Sequence, residues 1–140
     1  MKISTKGRYA LRMVLDIAQH QDAGYVTLKD IAARQNISKK YLEQIALQLT
    51  QASALRAVRG HQGGYMLVKP PKDYTVMEIL RLTEGSMAPV ACLDHDPNLC
   101  ERNSFCPTLP VWLGLARVIN EYLENITLKD IMDGKIKGAQ

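Results

Sequence analysis

No apolar run in the 140-residue chain approaches the ~18–20 residues that a membrane span requires. The N-terminus is basic, but Met1 to Arg8 leads into a polar-interrupted pattern without the apolar centre of a secretory signal, so a cytoplasmic protein is expected. Enzyme signatures are missing: there is no phosphate-cradling G-x-x-x-x-G-K, no nucleophile elbow and no paired carboxylates with a plausible cleft. Cysteine is scarce. The three present, Cys92, Cys100 and Cys106, are an odd number and a poor disulfide framework, and none forms the close C-x2-C pair favoured by zinc knuckles.

Acidic residues are scarce in the first half. Residues 1–72 carry twelve Lys or Arg against four Asp or Glu, a net +8, whereas residues 73–140 carry six against ten, a net −4. Charge sorted in this way implies a basic surface for a polyanion and a separate acidic module. With 46% hydrophobic and 23% charged residues, the chain has enough apolar material for one compact domain and an appended helical arm.

Apolar spacing predicts a helix over Gly7–His20 with Ala10, Met13, Val14 and Ile17 on one face, and a short one from Leu28, capped by Thr27. After a brief turn, Ser38 caps a third helix to about Ala52. Its apolar stripe is Tyr41 or Leu42, then Ile45, Ala46 and Leu49; its other face shows Lys39, Lys40, Glu43, Gln44 and Gln48. Two short helices around a tight turn, the second basic at its start, fit a helix-turn-helix. Leu55–Val58 and Tyr65–Val68, joined by Arg59-Gly60-His61-Gln62-Gly63-Gly64, read as a hairpin whose glycines supply positive φ angles, which makes it a wing.

Thr75 and Glu78 have the spacing of a full capping box opening a helix that ends at Gly85. Residues 86–107 form an irregular, cysteine-bearing loop. Pro110 starts the longest helix, to about Asn125, with Val111, Trp112, Leu115, Val118, Ile119, Tyr122 and Leu123 on a broad apolar face. A second copy of the chain would cover that face. The expected organisation is a mainly α protein with a small β-hairpin. A winged helix-turn-helix spans 1–85 and the cysteine loop 86–107; a dimerisation helix with a short helix after it occupies 108–132, and a flexible tail 133–140. Thr127–Ile131 repeats Thr27–Ile31 letter for letter, which we read as reuse of a cap.

Lys39 and Lys40 suit phosphate, Tyr41 lies beside them, and Glu43 and Gln44 suit base edges. Arg59, Gly60 and His61 at the wing tip suit an adjacent minor groove or backbone. A symmetric dimer would read a palindromic operator in double-stranded DNA. The pattern Cys92-x7-Cys100-x5-Cys106 has wide, unequal gaps and polar neighbours, which favours an iron–sulfur cluster over inert core thiols or a thiol redox switch. A fourth ligand is then needed: His95 is the candidate within the loop, with Asp94, Asp96, Glu101 or a residue of a partner chain as alternatives.

Met1-Lys2-Ile3-Ser4-Thr5-Lys6-Gly7-Arg8-Tyr9-Ala10, Lys40-Tyr41-Leu42-Glu43-Gln44-Ile45, the wing Val58-Arg59-Gly60…Gly63-Gly64-Tyr65, and Ile126-Thr127-Leu128 resemble the Rrf2 family of bacterial winged-helix regulators. With the three loop cysteines the chain is most similar to the iron–sulfur cluster regulator (IscR) branch. That resemblance implies a dimeric repressor holding a [2Fe–2S] cluster through three cysteines and a histidine. That histidine follows the third cysteine by three residues; here the position is Leu109, and the gap between the first two cysteines is longer. A nitric-oxide-sensing branch carries similar cysteines, and a cysteine-metabolism repressor branch shares the opening residues without a cluster.

Overall fold

Five of the six helices in the computed structural model, which describes residues 1–138, start from a Ser or Thr whose hydroxyl accepts the amide three residues on. These are α1 (Thr5–His20, capped by Ser4), α2 (Leu28–Gln35, Thr27), α3 (Lys39–Gln51, Ser38), α4 (Val76–Glu84, Thr75) and α6 (Leu128–Met132, Thr127). Only α5 (Leu109–Glu124) lacks a side-chain cap, and Pro110 in its first turn has no amide to satisfy. The Ser4 cap starts α1 two residues before the expected Gly7.

Residues 55–58 (β1) and 64–67 (β2) pair antiparallel, Leu55 with Leu67 and Val58 with Gly64, one residue earlier on the second strand than expected. Val26 adds a bridge to Tyr65, with mutual amide–carbonyl bonds of 2.9 and 2.8 Å, which ties the wing to the segment before α2. The glycines divide the labour differently from the sequence reading. Gly60 and Gly64 have φ of 116° and 149°, whereas Gly63 is needed for space: a Cβ there would lie 2.1 Å from the Val58 carbonyl oxygen.

The core is built on α1. Ala10, Met13, Val14 and Ile17 are fully buried against Ile31, Leu42, Ile45, Leu49, Ile79 and Leu128. Tyr74 is also fully buried; its hydroxyl donates to the Ala54 carbonyl at 2.7 Å and accepts the Val68 amide at 2.9 Å, which pins the foot of the wing. The segment around Thr127 closes on this unit: Val76 donates to Ile126 and Leu128 to Tyr74, so α6 packs on the winged core. Gly134 and Lys135 remain hydrogen-bonded to α6; of the tail expected to be loose, residues 139 and 140 lie outside the described residues.

Two side chains depart from the sequence reading. Thr75 caps α4, but the Glu78 carboxylate turns away to Lys69, 2.8 Å through both oxygens, so the box is half made. Gln48 leaves the outer face of α3 and donates to the Leu82 carbonyl of α4, while its amide oxygen is buried without a partner.

At the end of α4, Glu84 accepts from the Ser4 amide at 2.9 Å and from its hydroxyl at 2.5 Å. Gly7 lies so near that a Cβ would sit 2.1 Å from the Glu84 oxygen.

Candidate nucleic-acid interface and cysteine loop

α2 and α3 are set at their turn by Asn36, whose left-handed φ of 52° ends α2 and returns the chain to Ser38. Ser38 accepts the Tyr41 amide at 3.3 Å, so Lys39 and Lys40 occupy the first turn of α3, where the helix dipole already favours an anion. Lys39, Lys40, Glu43 and Gln44 are all exposed. Leu42, not Tyr41, carries the buried stripe; Tyr41 is half-buried, edge-on to Tyr9 at 5.8 Å. At the wing tip Arg59, Gly60 and His61 are exposed.

Among the described residues, Lys39, Lys40 and Arg59 have no carboxylate within ion-pair distance, whereas the second half pairs Arg81 with Glu124, Arg117 with Glu121, and Lys129 and Lys135 with Asp133. Unneutralised cations on a helix start and a hairpin tip are free to release counterions from a phosphate backbone.

A support for this surface escaped the sequence reading. Asp16 of α1 is 1% exposed, yet its carboxylate accepts from two nitrogens of the Arg34 guanidinium (2.7 Å from one, 3.0 and 3.3 Å from the other) and from Gln35 (2.9 Å) at the end of α2. Burial alone would raise its pKa; the hydrogen bonds from Arg34 and Gln35 and the positive charge of Arg34 outweigh that and hold the carboxyl below its ordinary 3.8. Gln35 also receives Arg12, which lies 5.2 Å over the Tyr9 ring, so α1 is clamped to the helix-turn-helix turn. The signal was an acid at position 16, on a helix whose neighbours Met13, Val14 and Ile17 are core.

The cysteine loop has one short 3-10 turn, Ala91–Leu93. Cys100 is exposed, Cys92 and Cys106 are partly so, and all three are free thiols. Among the described residues no three Cys, His, Asp or Glu side chains gather closely enough to hold a metal ion, so the thiols are on one segment but not assembled. Cys106 lies 3.4 Å from the Thr108 hydroxyl, and hydrogen bonding from Thr108 pulls its thiol below the usual range. His95 lines an open cleft of about 300 Å³ with Leu93, Asp96, Asn103, Leu109 and Leu113. Asp94 accepts from Ser86, and Glu101 is exposed. Three thiols with an imidazole and carboxylates on the same segment are a donor set whose chemistry suits an iron–sulfur centre, although the side chains are not brought together.

Beyond the loop, α5 carries two parallel apolar stripes. Trp112, Ala116, Ile119 and Leu123 are partly buried, and the helix packs on α4 with Arg81 bonded to Glu124 at 3.1 Å. Val111, Leu115, Val118 and Tyr122, one residue out of phase, are 60, 41, 57 and 56% exposed. No residue of α5 is fully buried.

Comparison with known proteins agrees with this architecture. The Rrf2 family model, described as an iron-dependent transcriptional regulator, matches residues 3–134. The chain is 39% identical over 132 residues, 94% of its own length and 87% of the relative's, to the protein rrf2 of Nitratidesulfovibrio vulgaris. It is similar to the solved structure of CymR, the global cysteine regulator of B. subtilis, with a TM-score of 0.77, 34% identity and coverage of 94% and 95% of the two chains. It is equally similar to T. potens IscR, with a TM-score of 0.76, 37% identity and coverage of 100% and 93%.

Proposed function

Because the chain belongs to the Rrf2 family of transcriptional regulators, we propose that it is a homodimeric repressor that reads a palindromic operator with α3 and the wing and senses iron–sulfur cluster status through loop 86–107. It is a regulator and not an enzyme. No helix among the described residues is long and apolar enough to cross a membrane. The observation that carries the sensor reading is the presence of three free, partly or fully exposed thiols on the one segment that joins the winged unit to α5.

In this reading Cys92, Cys100 and Cys106 hold a cluster, taken to be [2Fe–2S] as in the similar IscR branch. His95 is the fourth ligand, ahead of Asp94, Asp96, Glu101 or a residue of the partner chain. The cluster supplies an oxidisable inorganic centre whose gain or loss reports on iron and sulfur supply. The chain's own residues do the rest. Lys39, Lys40 and Arg59 hold phosphates, with Tyr41 and Gly60 shaping their surroundings. Glu43 accepts from cytosine, Gln44 bonds adenine, and His61 reaches the backbone or minor groove. The outer stripe of α5 pairs with its copy: leaving its aliphatic side chains in water forgoes roughly 1.5–3 kcal/mol for each one that could be fully buried. The pairing fixes the distance between two α3 helices against half-sites about one turn, ~10 bp, apart. Since loop 86–107 runs directly into α5, a change in its fold alters that spacing.

Anaerobically prepared protein is expected to be coloured, with iron and acid-labile sulfide that fall in His95→Ala, and holo and apo forms are expected to differ in operator affinity. Equal affinity of the two forms would remove the sensor mechanism. Lys40→Ala is expected to weaken operator binding and lower its log–log salt slope by about one.

A second reading follows from the likeness to CymR and from thiols that are not gathered: a cluster-free repressor of sulfur metabolism governed by a protein or small-molecule partner. It predicts colourless protein with three titratable thiols and full operator binding. A structural zinc site predicts stoichiometric zinc without iron, and a nitric-oxide sensor predicts loss of DNA binding on exposure to nitric oxide.

A further inference from the structure

The outer face of α3 contains one residue that the phosphate and base contacts above leave unused. Leu47 is 60% exposed in the middle of a helix whose other leucines, Leu42 and Leu49, are fully buried. A single exposed leucine on a protein surface needs no explanation; its bearing on this helix does. At about 100° per residue, the buried residues Leu42, Ile45, Ala46 and Leu49 span an arc of about 100°. Lys39, Lys40, Glu43, Gln44 and Gln51, all exposed, span about 140° on the other side. Leu47 falls near the centre of that polar arc, between the bearings of Glu43 and Gln44 and one turn further along.

Resting on the DNA-reading function proposed above, we propose that Leu47 is a specificity-determining residue that packs on the 5-methyl group of a thymine in each half-site. The chemistry selects thymine. Of the groups displayed in the major groove, only the thymine methyl is apolar, and aliphatic or aromatic side chains are what read it. Position selects the step. With a rise of 1.5 Å per residue, Leu47 lies about 4.5–6 Å along the axis from Gln44 and Glu43, or between one and two base steps of ~3.4 Å. Glu43 and Gln44 therefore supply hydrogen-bonded readout at one end of the half-site core, and Leu47 supplies apolar readout one or two pairs away. Leu47 makes no contact that the core requires, so its removal tests reading without touching folding; alanine is the best helix former for an exposed position.

The test begins with a site selected from a random duplex pool by the full-length, anaerobically prepared protein. Each thymine of that site is then replaced singly by deoxyuridine, which removes the methyl and keeps every hydrogen-bonding group. One replacement per half-site, within two pairs of the bases protected by Glu43 and Gln44, is expected to weaken binding roughly four-fold, the factor that goes with exposing about one methylene's worth of apolar surface. Leu47→Ala, which removes the contact from both half-sites of the symmetric dimer at once, is expected to bind the thymine site more weakly by about the square of that factor, roughly fifteen-fold, and to lose the uracil effect. Two outcomes overturn the assignment: no deoxyuridine replacement near those bases weakens the wild type, or Leu47→Ala keeps the same sensitivity. If the protein selects no site at all, the DNA-reading function itself fails and the assignment with it, a result distinct from the other two.

Discussion

The winged unit and the helix that follows the cysteine loop obey opposite rules. In the first, every apolar stripe meets another stripe of the same chain: α1 is buried between α2, α3, α4 and α6, and even the acid at its centre, Asp16, has three donors. In the second, α5 buries one stripe partially and leaves a parallel one in water, and the loop before it holds three thiols that touch no common centre. A unit whose apolar stripes are all covered internally has one arrangement. A unit with unsatisfied surfaces takes its arrangement from what binds it, which is the thermodynamic requirement for a responsive element. On the proposed function, the reader is finished when folded, and the arm would be finished by a second chain and an inorganic guest.

Breaking that contrast at its strongest point means putting a charge on the outer stripe of α5. Val118→Glu is expected to convert the proposed dimer to monomer, seen in sedimentation velocity, and to lower operator affinity by orders of magnitude because the two half-sites are no longer read together. The far-ultraviolet circular dichroism of the winged unit should be unchanged; a variant that stayed dimeric would show that another surface joins the chains.

A smaller effect is expected inside the finished unit. Arg34→Ala leaves the buried Asp16 carboxylate with the Gln35 amide as its one hydrogen-bond donor and the His20 imidazole 3.6 Å away, and should cost about 3 kcal/mol of unfolding free energy in a urea titration. The pH dependence carries a sign. The Asp16 carboxyl is held below its ordinary 3.8, so its stabilisation is fully present above that value and is lost as the pH falls through the lower folded-state pKa. Arg34→Ala should flatten this acid limb, whereas a pure packing defect would shift the curve without changing its shape.

The smallest effect sharpens the comparison at its margin. Glu78 serves Lys69 instead of the amide it was spaced to cap, in a pair about one-third exposed at each end. Glu78→Gln should therefore cost well under about 1 kcal/mol, with a loss that shrinks in high salt.

Much of the fold was legible because it rests on local chemistry: the hydroxyl caps at Thr27, Ser38, Thr75 and Thr127, the apolar spacing of α1 and α3, and the glycine-rich wing. What failed depended on neighbours far along the chain. Thr27–Ile31 and Thr127–Ile131 are spelled identically, yet only at the second does the aspartate reach back, Asp130 accepting the Thr127 amide at 3.0 Å. Gln48 has a polar side chain on a nominally outer face, and only the approach of α4 makes the Leu82 carbonyl its partner. Val26 carried no strand signal because its bridge is one residue long. In the candidate site, the exposure of Lys39, Lys40, Glu43, Gln44 and Arg59 followed from helix and hairpin spacing. The spread of the three thiols did not, since an irregular loop has no period to read.

Gly7 differs in kind from the wing glycines. At residue 63 or 64 a side chain would strike main-chain carbonyls that have nowhere to go; at residue 7 it would strike the movable tip of Glu84. Adding one carbon there would evict the carboxylate from Ser4 and unbuckle the first residues of the chain, with Lys2 among them, from the threshold of the sulfur-bearing segment, while the globule stayed whole. The fastening is made by a vacancy, and filling it is the gentlest way to undo it.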